Sequence, residues 1–147
     1  MFTGEYTQKM DTKGRTIVPA KFREELGTSV VVTRGLDGCL FAYSKEAWHA
    51  LEEKLSSLPF ADRKVRDFNR FFLAGASELE TDKLGRVLMP AVLRKFGNLD
   101  KEVVWVGDRL EIWNSDKWNE QMMSYLEGDD VEEKIEDLAS YMAELGI

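Results

Sequence analysis

The feature that most constrains the fold of this chain is an internal repeat. Asp11-Thr12-Lys13-Gly14-Arg15-Thr16-Ile17-Val18-Pro19-Ala20 returns 71 residues later, Arg15 aligning with Arg86, as Asp82-Lys83-Leu84-Gly85-Arg86-Val87-Leu88-Met89-Pro90-Ala91. Asp, Gly, Arg, Pro and Ala keep their places. The likeness continues outward: Phe22-Arg23 matches Leu93-Arg94, Leu26-Gly27 matches Phe96-Gly97, and Val30-Val31-Val32 matches Val103-Val104-Trp105. Leu40-Phe41-Ala42-Tyr43 matches Leu110-Glu111-Ile112-Trp113, and Trp48 matches Trp118. A unit of about 45 residues is therefore used twice.

Within each copy the local chemistry can be read in order. Glu5 to Met10 and Arg15 to Val18 are predicted strands of a β-hairpin, separated by a turn in which Asp11 accepts backbone amide bonds and Gly14 takes a positive φ. Asp82 and Gly85 play the same turn-forming parts in the second copy. Pro19 suits the first position of a short helix over residues 19–26, which Gly27 ends in the left-handed region. Pro90 and Gly97 repeat this punctuation. Val30 to Thr33 and Cys39 to Tyr43 predict a second hairpin, matched by Val103 to Val106 and Arg109 to Trp113. Ile17-Val18 and Leu88-Met89 are apolar at both parities, which predicts burial on both faces.

Helical patterns fill the rest. Ser44 and Asn114 are suitable N-caps for helices that bury Trp48, Leu51, Leu55 and Leu58 in one case and Trp118, Met122 and Tyr125 in the other. A further helix from Asp62 to Ala74 aligns Val65, Phe68 and Phe72, with Gly75 ending it. The tail places Val131, Ile135, Leu138, Met142 and Leu145 on one stripe of an otherwise acidic helix, an apolar face suited to packing on its own body or on a neighbouring subunit.

Charge and composition narrow the function. The net charge of −7 is uneven: residues 120–147 hold nine acids against Lys134 alone, leaving residues 1–119 with 19 basic and 18 acidic groups. A neutral body can still present a local basic surface, and local fields govern binding to phosphate. No apolar run approaches the roughly 20 residues of a membrane span, so a soluble intracellular protein is expected. With one cysteine, Cys39, inside an apolar strand, and one histidine, His49, beside Trp48 on a predicted helix, the chain offers no His/Cys metal cluster. It offers no phosphate-cradling glycine loop and no nucleophile–base pair either. An enzyme, a catalytic residue, a metal, a cofactor and a small-molecule substrate are accordingly not expected.

Two Asp-x-x-Gly-Arg turns, each followed by a strand, a Pro-started short helix and a second hairpin, resemble the MraZ family of the SpoVT-AbrB superfamily. The resemblance covers essentially the whole chain, including Met1-Phe2 and the Gly4 ahead of the first hairpin. It implies an α+β fold in which tandem SpoVT-AbrB units interleave into an intrachain swapped-hairpin β-barrel with packed helices. The units would occupy residues 5–47 and 76–119, with connecting helices at 48–75 and an acidic C-terminal helical tail at 120–147. It further implies a sequence-specific DNA-binding transcriptional regulator of the cytoplasm and nucleoid, a ring-forming homo-oligomer. Its partner would be double-stranded DNA, at promoter direct repeats upstream of the division and cell-wall gene cluster, and its usual action repression. The alternative is an antitoxin-like interaction module that binds DNA and a protein partner.

The candidate DNA-binding residues follow from position. Arg15 and Arg86 directly follow their turns, where a guanidinium can clamp a phosphate or take the O6 and N7 of guanine; an intramolecular pair with Asp11 or Asp82 is the competing reading, and the two are compatible. Lys9, Lys13, Arg23, Lys83, Arg94 and Lys95 either extend a basic surface or are ordinary solvated charges. Lys83-Leu84 stands where the first copy has Thr12-Lys13, so the second turn is not an exact copy of the first.

Overall fold

The computed structural model describes residues 2–147. The first copy supplies β1 (Phe2–Lys9), β2 (Arg15–Ile17), α1 (Ala20–Leu26), β3 (Ser29–Arg34) and β4 (Leu40–Tyr43), followed by α2 (Lys45–Ser56) and α3 (Arg63–Leu73). The second supplies β5 (Ser77–Glu80), β6 (Arg86–Leu88), α4 (Ala91–Phe96), β7 (Glu102–Asp108) and β8 (Glu111–Asn114), followed by α5 (Ser115–Leu126) and α6 (Val131–Glu144). The class is α+β, with antiparallel pairing throughout.

The repeat folds through exchange between its copies. The β3–β4 and β7–β8 hairpins form as their spacing predicts. The first hairpin of each copy does not. Met10 makes only an isolated bridge to Thr16, while β1 runs beside β7, Tyr6 opposite Trp105 and Lys9 opposite Glu102. Reciprocally, β5 runs beside β3, with Val30 opposite Leu79. The six-stranded sheet has the order β1-β7-β8-β4-β3-β5, and β2 and β6 form a separate two-stranded ribbon. A turn decides only which strands are near each other, whereas the burial of apolar surface decides which of them pair. Val103, Val104 and Trp105 are all buried, and β7 gains its outer neighbour from the other copy.

The core draws on both copies. Phe22, Val30, Val32 and Leu40 from the first share one cluster with Met89, Leu93, Val103, Trp105 and Ile112 from the second. Phe2 and Tyr6 meet the Phe22 ring edge-on at centroid distances of 5.4 and 5.1 Å, anchoring β1 over α1. Strand β2 is buried on one face only: Thr16 and Val18 are enclosed, whereas Ile17 is 42% exposed, and in the second copy Val87 and Met89 are enclosed while Leu88 is 56% exposed. The expectation of two-sided burial is therefore corrected. A two-stranded ribbon has one face on the core, and the period-2 alternation sends the residue between two buried ones outward.

Local signals held with small displacements. Ser44 Oγ accepts from the Ala47 amide and caps α2, and Asp62 does the same for α3 through Lys64 N. Pro19 and Pro90 stand at the N-caps, one residue before their helices begin at Ala20 and Ala91. Gly27 takes φ +77°, but Gly97 stays at −79° and the left-handed residue is Asn98 at +52°. Both glycine amides bond back into their helices, Gly27 to Arg23 O and Gly97 to Leu93 O, but the Asn98 amide also bonds Lys95 O, so the turn runs one residue further there, and asparagine tolerates the positive φ. Leu58 lies past the end of α2 and is exposed, not buried as the helical spacing suggested.

Residues up to Ser115 form one unit, and residues 116–147 form a second. In the latter, α6 contains no buried residue: Ile135, Leu138, Met142 and Leu145, on the predicted apolar stripe, are all exposed.

Candidate nucleic-acid interface

Each Asp-x-x-Gly-Arg segment is a tightly bonded turn that ends in a positioned arginine. Asp11 Oδ1 accepts the amides of Lys13 (3.0 Å) and Arg15 (2.8 Å), and its Oδ2 accepts from Arg15 Nε at 2.7 Å. Asp82 repeats the set with Leu84 N (2.9 Å), Arg86 N (2.8 Å) and Arg86 Nε (2.9 Å). The Gly14 and Gly85 amides close the turns on the Asp11 and Asp82 carbonyls at 3.0 Å. Both carboxyls are held below their ordinary range, chiefly by the arginine backbone amide, with the guanidinium and a second amide adding to it. The pair with Asp therefore forms. It engages one N–H of five, so the guanidinium keeps its terminal donors for another acceptor.

The ribbon brings the two arginines together. Arg15 lies opposite Leu88, Thr16 opposite Val87 and Ile17 opposite Arg86. Directly opposed residues share a face, so Arg15, Ile17, Arg86 and Leu88 all stand on the face away from the core. Arg15 and Arg86 are diagonal neighbours, roughly 7–8 Å apart at their Cα atoms for such a pair. Because β2 and β6 are antiparallel, the turn carrying Lys13 precedes one end of the ribbon and the turn carrying Lys83 precedes the other; both lysines are exposed.

The copies lock this arrangement crosswise. Val18 N donates to Gly85 O, and Met89 N to Gly14 O, each at 2.9 Å. Arg23 of α1 lies against the Gly85 turn, and Arg94 of α4 against the Gly14 turn. Arg94 Nε also donates to Met89 O at 3.1 Å. Arg23 and Arg94 are thus part of the turn supports, which sequence spacing alone did not reveal. Lys9 belongs to β1, opposite Glu102 in the other sheet, and Lys95 is exposed in the last turn of α4. Also missed in the sequence was the exposure of Ile17 and Leu88 between the arginines; the alternation Arg15-Thr16-Ile17 held the signal.

His49 is exposed and 3.4 Å from Glu52. Cys39 is buried, and that burial pushes its thiol up to about 12. Among the described residues no group of His, Cys, Asp and Glu could hold a metal ion, and no helix is long and apolar enough to cross a membrane. A cleft of about 350 Å³ beside α2 and α3, lined by Phe41, Leu51, Phe68 and Phe72 with Arg34 and Arg109, is predominantly apolar.

A family model described as "MraZ protein, putative antitoxin-like" matches twice, over residues 1–71 and 72–139. The chain is 50% identical to the protein named "Transcriptional regulator MraZ" of Halothermothrix orenii, and 52% identical to that of Acetivibrio thermocellus, with full coverage of both partners in each case. It is 54% identical to the Carboxydothermus hydrogenoformans protein of the same name over 81% of this chain and 85% of that one. With both copies of the repeat matched and similarity running from end to end, this chain belongs to the MraZ family.

Proposed function

We propose that this chain is a sequence-specific DNA-binding transcriptional regulator that reads duplex DNA with the outward face of the β2–β6 ribbon. Its relatives are named transcriptional regulators, which supports regulation as its role and speaks against an enzyme. The observation that carries the DNA reading is the pairing of Arg15 and Arg86 on one exposed face, each tied at Nε to its own aspartate. A two-stranded ribbon fits the major groove, where the terminal N–H groups of an arginine match O6 and N7 of guanine. Lys13 and Lys83 at the two ends supply phosphate contacts, with Lys9, Arg23 and Arg94 as lesser contributors.

Several finer features belong to the same reading. The reciprocal β1–β7 and β5–β3 pairing supports two SpoVT-AbrB units interleaved in one swapped-hairpin barrel. The exposed apolar residues of α6, Ile135, Leu138 and Met142, support a homo-oligomer, which we take to be a ring. As a member of this family the protein would act in the cytoplasm and nucleoid. It would bind direct repeats upstream of the division and cell-wall gene cluster and repress them. The family description "antitoxin-like" and the same exposed stripe of α6 favour a second reading, in which the tail also holds a protein partner. Co-purification of one defined small partner in fixed ratio would favour it.

Arg15→Ala is the deciding experiment. A lost guanidinium contact weakens operator binding by roughly 1–3 kcal/mol per site, and repeated sites multiply the loss through avidity. Gel-shift titration on DNA upstream of its own gene should show this loss with oligomer mass unchanged and the melting temperature lowered only by the small cost of one exposed ion pair. Arg86→Ala should follow it. Retained binding with early melting would reduce the arginines to structural members of their turns.

A further inference from the structure

The outward face of the ribbon is not uniformly basic. Along each strand the residue two places after the arginine is aliphatic, Ile17 in the first copy and Leu88 in the second, and both remain largely in contact with solvent. Cross-strand pairing sets Arg15 beside Leu88 and Ile17 beside Arg86. The face is therefore a checkerboard of two cations and two aliphatic groups. Ile17 stands at 42% and Leu88 at 56% exposure. Their strand neighbours Thr16 and Val87 satisfy the core, so burial within the chain does not account for an apolar residue at 17 or 88.

We propose that Ile17 and Leu88 are specificity residues that contact thymine C5-methyl groups in the operator. The inference rests on the reading of the ribbon as a DNA-binding face. The thymine methyl is the one apolar group that a base edge displays in the major groove, and aliphatic side chains recognise it by contact. Placed diagonally around the arginines, the two side chains give each guanidinium an apolar companion within one cross-strand spacing. The face then distinguishes base pairs by two chemistries, hydrogen bonding at the arginines and methyl burial beside them.

The test uses the full chain and one duplex spanning the DNA upstream of its own gene, prepared with thymine or with uracil in place of every thymine. Uracil keeps the pairing and removes the methyl. Fluorescence anisotropy should show weaker binding to the uracil duplex, by about fourfold for each contacted methyl. Ile17→Ala and Leu88→Ala should weaken binding to the thymine duplex. The double variant should bring the thymine-to-uracil ratio close to one while oligomer mass stays unchanged. Equal wild-type affinity for both duplexes would overturn the proposal and leave recognition by the arginines standing. A ratio that persists in the double variant would also overturn it, because other residues would then read the methyls. Failure of the wild type to bind either duplex would overturn the DNA reading itself, and this inference with it.

Discussion

Arg23 and Gly85 belong to different copies of the repeat, yet the guanidinium of Arg23 fills the space that a Cβ on Gly85 would occupy. The relationship is mirrored by Arg94 and Gly14, whose absent Cβ would stand 2.6 Å from Arg94 Nε. Glycine is required at both turns for two separable reasons. The backbone has φ of +93° at Gly14 and +81° at Gly85, and the opposite copy's arginine closes over it.

Gly85→Ala should therefore destabilise the protein by about 1–3 kcal/mol, the usual cost of a strained backbone conformation, plus the displacement of Arg23. Denaturant unfolding of Gly85→Ala in the wild-type and Arg23→Ala backgrounds separates the two effects. The substitution should cost less where Arg23 is already absent. Equal costs in the two backgrounds would mean that the guanidinium is not wedged against the turn.

Asp11 and Asp82 should titrate below their ordinary value of 3.8, because the charged form accepts two amides and a guanidinium N–H. A folded value that is depressed contributes stability above the unfolded value, and that contribution is lost as pH falls through the folded one. The turns should accordingly hold at pH 4–5 and loosen only in stronger acid. Carboxyl NMR titration checks this directly. In Arg15→Ala the Asp11 midpoint should rise only part of the way back, since the Arg15 amide, the largest contributor, remains.

Thr16→Val should stabilise the protein. The Thr16 hydroxyl is enclosed with no protein partner for its Oγ, and its opposite number on the ribbon is already Val87. Replacing an unbonded buried hydroxyl by a methyl of the same shape removes a desolvation cost of about 1 kcal/mol or more. A rise in melting temperature of about 2–4 °C is expected for a chain of this size. A fall would show that the hydroxyl has a partner in solution.

Cys39 should resist alkylation in the native state. It is fully enclosed, its Sγ lies 3.1 Å from Leu36 O, and burial raises its thiol to about 12. At pH 8 the folded protein should take up no iodoacetamide over hours, and the denatured protein one label per chain. Rapid native labelling would reveal opening of the β3–β4 hairpin end.

What could be read from the sequence was what short-range chemistry decides. The Asp11 turn, the Ser44 cap and the aspartate–arginine pair each depend on residues within about five positions of one another, and the second hairpins join strands separated by one short loop. Partner choice was not legible in the same way. Nothing local tells β1 to leave β2 for β7, because that choice depends on which surfaces the whole unit can cover. The misreading of Ile17 and Leu88 has the same origin. Adjacent apolar residues in a strand mark either two buried faces or one buried face beside an apolar working surface, and only the ribbon's position on the core separates the two. Arg23 and Arg94 likewise find their turns across the ribbon, beyond the reach of spacing.

The crosswise bonds from Val18 to Gly85 and from Met89 to Gly14 make a two-fold-like object out of one continuous chain. Had two identical chains built it, any substitution would appear at both ends and the object would have to remain symmetric. Here each end has its own codons, and they have diverged: the first turn carries Lys13 where the second carries exposed Leu84, and Lys21 of α1 corresponds to exposed Val92 of α4. The two ends of the ribbon are consequently not equivalent, although each keeps one exposed lysine, Lys13 in the first turn and Lys83 in the second. Either end can change by single substitutions while the other keeps its chemistry.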